Sequence, residues 1–147
     1  MDETVSLRDI VKPILGRYPK TSLITRWEEA TASDRDPKPL AFWIRESDDL
    51  VNIVWLNRSG VWDITWYPDR EMTTFNFARV SAIVGFEVRE AADVAKQLDL
   101  KVTGHYVVDV FAGSGRGGGF IWVAKDEKEA AELRVFVGQL SKLLLEV

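Results

Sequence analysis

Between Phe120 and Val147 the apolar pattern changes period once, and that change dictates how the chain must end. Phe120-Ile121-Trp122-Val123-Ala124 is a wholly apolar run, too short to form a helix of its own. It stops at Lys125-Asp126-Glu127. Beyond the break, Ala130, Leu133, Phe136, Val137, Leu140, Leu143, Leu144 and Val147 recur at spacings of three and four, which lines one helix face. Lys128, Glu132, Arg134, Gln139, Ser141, Lys142 and Glu146 fill the other side. Asp126 and Glu129 have the spacing of a capping box, in which a side-chain oxygen satisfies an orphan N–H of the first turn. Most helical stability in a protein comes from docking an apolar face, so this helix needs a surface to cover. The chain therefore ends in a strand followed by a covering helix.

Ser6 to Leu15 carries a second helical stripe, formed by Leu7, Ile10, Val11, Ile14 and Leu15, with Ser6 and Asp9 spaced as a capping box. Pro13 lacks an N–H and its ring crowds the preceding turn, so the helix should kink or end near Lys12. From Thr21 onward the period reads as two. Ser22 to Glu29 is expected to be a strand carrying Trp27, and Thr31 to Pro39 a polar connection. Leu40, Phe42 and Ile44 alternate with Ala41, Trp43 and Arg45, a second strand. Leu50–Leu56 is apolar on both faces apart from Asn52, the pattern of a strand covered on both sides. Asn57-Arg58-Ser59-Gly60 reads as a hairpin turn, and Trp62 to Trp66 as an alternating strand ended by Pro68-Asp69-Arg70. Thr73 to Arg89 reads as one extended stretch with Val80, Ala82, Val84, Phe86 and Val88 on one face and a bulge or bend at Gly85. Glu90 to Leu100 fits a short helix or a loop. Val102 to Ala112 is a further strand with a second bend at Gly104, and the glycine-rich 113–119 turns it into the last strand.

The resulting fold class is mainly β (α+β), in a single domain. It has a helical segment over residues 1–20, then about seven antiparallel strands and a C-terminal helix over residues 21–147. Mid-strand glycines favour a strongly curved sheet, closed as a bent barrel or folded as a sandwich. With the final strand Phe120–Ala124, the acidic break Lys125-Asp126-Glu127 and the helix Ala130 to Leu144, this order resembles the pleckstrin-homology-like superfold. The resemblance covers residues 22 to 147. It implies a bent, nearly closed barrel of seven strands, plugged at one end by the helix. The familiar helix tryptophan of that family has no counterpart here, where Phe136 is the only aromatic in the helix, and the N-terminal helix is additional. Phosphoinositide-binding members cluster basic residues on their first two strands and the loop between them. The matching stretch, Arg26 through Lys38, has acids that match or exceed its bases, so the resemblance does not imply that activity.

Composition narrows the function classes. A chain 46% hydrophobic and 29% charged reads as globular, and no apolar run approaches the length of a membrane span. The start, Met1-Asp2-Glu3-Thr4, is acidic and unlike a signal peptide, so a cytoplasmic location is expected. The absence of cysteine removes disulfides, thiolate metal sites and thiol nucleophiles. A net charge of −4 argues against nucleic acid as a partner. Locally, Arg8, Lys12, Arg17, Lys20 and Arg26 outnumber Asp9, so Lys12, Arg17 and Lys20 with Arg116 form a candidate anion-binding set. The glycine-rich 113–119 is followed by a strand, whereas a phosphate cradle needs a helix N-terminus there. His105, the only histidine, lies about 13 Å along an extended strand from Asp109, too far for a hydrogen bond. Asp48-Asp49 and Glu28-Glu29 lack the ligand spacing of a calcium loop. No catalytic set, metal site or cofactor is expected.

Six tryptophans remain. Alternation sets Trp43 opposite Phe42 and Trp55 opposite Leu56, leaving aromatic side chains on a second face. Tryptophan beside arginine is the composition of an interface anchor, so Trp43, Arg45 and Trp55 are the candidate protein-binding surface. The expected function is a non-enzymatic binding or scaffolding module acting through protein–protein contacts, self-association included. One alternative is an anionic-lipid or phospholigand module, although peripheral membrane contact is not expected from the charge balance. Another is a small-ligand carrier or enzyme with a cavity the sequence does not display.

Overall fold

Ser6 starts the first helix as its spacing predicts. In the computed structural model, which describes residues 5–36, 38–47, 49–98, 100, 104–113 and 119–146, helix α1 runs over Leu7–Leu15. Ser6 Oγ accepts from the Asp9 N–H at 3.2 Å, and Asp9 Oδ2 accepts from the Ser6 N–H at 2.9 Å. The bond from the Ser6 N–H, and then one from Ser6 Oγ to Oδ2 at 2.8 Å, hold the Asp9 carboxyl below its usual range. Pro13 does not end the helix. Leu7, Val11 and Ile14 make one buried face, and packing of that face outweighs a single missing hydrogen bond near the C-terminus.

The expected strand over Ser22 to Glu29 is instead a helix, α2 (Leu23–Ala30). Leu23 and Trp27 are four apart, a spacing that satisfies a period of two and a period of 3.6 equally. Ile24 breaks the tie, because as a strand residue it would face away from both. All three are buried. The Arg26 N–H donates to the Ser22 carbonyl at 2.9 Å and the Thr31 N–H to the Trp27 carbonyl at 3.0 Å, closing the two ends.

Strands β1 (Ala41–Glu46), β2 (Val51–Leu56), β3 (Gly60–Tyr67) and β4 (Met72–Arg79) form one sheet in that order. Asn57 shapes the β2–β3 turn by accepting from the Ser59 and Gly60 N–H groups. Asp34, in the polar connection, accepts from Asn57 Nδ2 and Ser59 Oγ, both at 2.9 Å. β2 is buried on both faces, as its composition predicts. Val51, Ile53 and Trp55 pack with Ile64 and Trp66 of β3 against Leu7, Val11, Ile14, Leu23, Ile24 and Trp27. Residues of the N-terminal segment thus belong to the core of this sheet, within a compact unit spanning Met1–Phe77.

The second compact unit is Ala78–Val147. The stretch expected to be extended from Thr73 to Arg89 is broken by a 3-10 turn at Val80–Ala82, which separates β4 from β5 (Ile83–Glu90). The face predicted for Val80, Ala82, Val84, Phe86 and Val88 therefore does not exist as one row, and Val84 is exposed. β5, β6 (Tyr106–Ala112) and β7 (Gly119–Ala124) form a second antiparallel sheet in that order. Its register shifts between Ile83 and Gly85, the predicted bulge. Gly104 precedes β6 and does not bend it. A Cβ there would lie 2.7 Å from the Ala124 carbonyl oxygen, so glycine permits a close backbone approach. The stretch that fits a helix or a loop contains α3 (Val94–Gln97).

α4 (Glu127–Glu146) follows β7 as predicted. Asp126 Oδ1 accepts from the Glu129 N–H at 2.9 Å, while Glu129 Oε1 accepts from the Lys125 N–H, one residue outside a standard capping box. Ala130, Leu133, Phe136, Val137, Leu140 and Leu143 are buried, and Phe136 meets Trp122 of β7 edge to face at 5.3 Å. Among the described residues the architecture is α+β with seven antiparallel strands, but they divide into a four-stranded and a three-stranded sheet. Neither sheet closes, so the barrel is not formed. The turn at Val80–Ala82 separates β4, in the first sheet, from β5, in the second. Among the described residues no helix is long and apolar enough to cross a membrane.

Candidate functional site

The surface expected around Trp43, Arg45 and Trp55 is not there. Trp43 is 1% exposed and Trp55 2%. Their register places them on opposite faces, because Trp43 pairs with Val54 while Phe42 pairs with Trp55. Arg45 is half-buried opposite Asn52. Trp55 lies in the core under α1 and α2, edge to face with Trp27 at 5.5 Å. The exposed aromatic of β1 is Phe42, which stacks on Trp55. Alternation correctly separated the two faces of β1 and β2, but α2 covers the face that a strand would have left open.

The anion-binding set is only partly assembled. Arg17 and Lys20 line a cleft of about 320 Å³ with Tyr18, Pro19, Thr21, Pro68 and Glu71. Lys12 does not line it, and Arg116 lies outside the described residues. Arg17 donates to Glu46, a hydrogen bond that raises its pKa above the usual arginine value. Glu46 holds Arg17, and Glu71 stands on the cleft wall with Lys20.

A different surface emerges on the second sheet. Pairing places Glu87 beside Asp109 and Asp109 beside Ile121, so the three form one row across β5, β6 and β7. The next row is Arg89, Val107 and Val123, and the row on the other side is Gly85, Phe111 and Gly119. α3 covers one end of this face, where Val94 and Ala95 pack on Val107 and Val123, with Leu98 and Leu100 against them. Toward the other end the described residues leave apolar side chains exposed. Phe111 is 44% exposed and Ile121 52%. Glycines stand directly opposite Phe111 on both neighbouring strands, Gly85 of β5 and Gly119 of β7. Between the covered and exposed ends lies a groove of about 190 Å³ lined by Glu87, Arg89, Leu98, Leu100, Val107, Asp109 and Ile121. The sequence held one signal of it, a carboxyl group at Asp109 inside the apolar run of β6. Which residues would face it across the sheet depended on register.

At the sheet's other margin His105, Glu127, Arg134 and Glu90 form a chain of polar contacts. His105 Nε2 lies 3.2 Å from Glu127 Oε2, Arg134 Nη1 donates to Glu127 at 2.7 Å, and Arg134 Nη2 donates to Glu90. The hydrogen bond from Arg134, then that to His105, lowers the Glu127 pKa. The bonds to Glu127 and Glu90 raise that of Arg134. This is a structural tie between α4 and the strands. The Arg134 guanidinium also sits 4.9 Å from the centre of the buried Tyr106 ring.

Burial raises the Tyr106 pKa above its ordinary 10.0, with Arg134 opposing the shift. A folded-state pKa above the unfolded value means the neutral phenol stabilises the fold below pH 10.0, and that this is lost as pH rises through the folded pKa. Thermal melts of wild type and Tyr106→Phe should therefore run parallel from pH 8 to pH 9.5. Above that the wild type should fall faster, and a constant gap up to pH 11.5 would contradict the assignment.

Among the described residues no group of acidic or histidine side chains is placed to hold a metal ion. Comparison with protein families, curated proteins and solved structures finds no match to this chain, so a functional reading rests on the geometry of this sheet face.

Proposed function

We propose that the protein is a non-enzymatic binding module that docks a protein segment on the α3-bearing face of β5, β6 and β7. One observation carries this reading. Phe111 and Ile121 stand exposed as diagonal neighbours on a sheet face whose other half is already covered by α3. Isolated exposed apolar residues need no explanation, but an aromatic and an aliphatic beside a formed groove match the composition of an interface core. The pleckstrin-homology-like resemblance is part of the proposal. Seven antiparallel strands followed by one long helix support it, and two open sheets are the departure.

Selection of a random displayed peptide library against the folded protein tests the docking reading. Binders should shift the amide resonances of residues 107–111 and 119–123. Ile121→Glu, at an exposed position, should weaken them at least about tenfold, which is ~1.4 kcal/mol. Binders that map to other surfaces, or a library that yields none, would refute the assignment.

A further inference from the structure

Resting on that reading, we propose that the groove recognises a lysine or arginine side chain set between apolar residues of the docked segment, with Asp109 as the acceptor. One strand pairing costs the sheet stability. Glu87 and Asp109 are directly opposite on adjacent antiparallel strands, where like charges repel. Arg89 Nε donates to Glu87 at 2.6 Å, so Glu87 is compensated within its own strand. Among the described residues the Asp109 carboxylate has no hydrogen-bond or ion-pair partner, although Asp109 is half-buried in the groove, with Val107 and Ile121 beside it.

A half-buried carboxyl group without a cation, at the floor of an apolar slot, is complementary to a long side chain with a methylene stem and a charged head. The stem lies along Leu98, Leu100 and Ile121, and the head reaches Asp109. The size agrees. About 190 Å³ falls below the ~300–1,000 Å³ of pockets that enclose small-molecule ligands, and suits one side chain. Charge also decides between occupants. The groove has two acids against one arginine and the chain has a net charge of −4, so a basic segment is attracted. A second copy would bring the same acidic row against itself. Phe111 and Ile121 then take the apolar residues that flank the basic one.

The peptide selection distinguishes this inference from the docking reading. Selected peptides should carry lysine or arginine between apolar residues. Asp109→Asn should weaken them about tenfold, and replacing the peptide's lysine by norleucine should weaken wild-type binding equally. The two changes together should cost no more than either alone. Glu87→Gln, which leaves Asp109 in place, should cost less. Melts of both variants establish that they fold, and Asp109→Asn relieves a repulsion, so it should be no less stable than wild type. Peptides that bind this face without a basic residue, or that ignore Asp109→Asn, would overturn the inference and leave the docking reading standing. Light scattering that rises with concentration and falls in Ile121→Glu would make a second copy the occupant, and would also overturn it. With neither peptides nor self-association at this face, both readings fail.

Discussion

A chain cut before Asp126 should lose its cooperative melt and aggregate. α4 buries Ala130, Leu133, Phe136, Val137, Leu140 and Leu143, and the strand before it ends in Trp122, Val123 and Ala124, all buried in the intact protein. Without the helix, the Trp122 indole loses its edge-to-face partner and the sheet exposes a row of apolar side chains. The effect can be graded with a point variant. Phe136→Ala leaves the helix in place but removes a ring that is 1% exposed, and should cost about 3–5 kcal/mol. Urea unfolding followed by circular dichroism gives that figure from the shift in midpoint at constant slope. A truncated chain that stays monomeric and melts cooperatively would show that α4 is not the cover described here.

Trp27→Ala should destabilise the first unit by a similar ~3–5 kcal/mol. Trp27 is the largest of the three side chains, with Leu23 and Ile24, through which α2 joins the four-stranded sheet. Its ring lies edge to face with Trp55 and with Trp62, and stacks with Phe75 of β4 at 6.1 Å. Truncation leaves a cavity between a short helix and a sheet, and a helix of eight residues has little stability without that packing. Trp27→Phe, which keeps an aromatic ring in the gap, should cost much less. Equal losses for the two substitutions would mean that the indole is not packed as described, and a loss below ~1 kcal/mol for Trp27→Ala would remove Trp27 from the core.

Some of this was legible from residue spacing. The capping box of Ser6 and Asp9, the cap that Asp126 gives Glu129, the stripe of α4, the hairpin at Asn57 to Gly60, the doubly covered strand β2 and the bulge at Gly85 all depend on interactions within a few residues, or on a strand's own composition. Local patterns report local physics. The break at Val80–Ala82 was missed because its residues also suit an extended chain, and only the chain's passage from one sheet to the next distinguishes them. Gly104 does not mark a bend in β6. It is required by the Ala124 carbonyl, which is twenty residues away in sequence and adjacent in space.

The candidate site divides along the same line. Tryptophan content and alternation pointed to Trp43 and Trp55, and both indoles are core. An amphipathic strand and an interface strand have the same sequence until something covers one of them. α2 does so for Trp55, and its helical state was settled by packing Leu23, Ile24 and Trp27 together, since their spacing fits either period. Asp109 and Ile121 could each be placed on a strand by composition. That they lie side by side, with Glu87 across and Leu98 above, follows from the β5–β6–β7 register and from where α3 docks. Periodicity determines which residues share a face of one element, because backbone geometry repeats along it. Which faces meet, and which stay open to a partner, is a property of long-range packing, where many weak contacts are summed over residues distant in the chain.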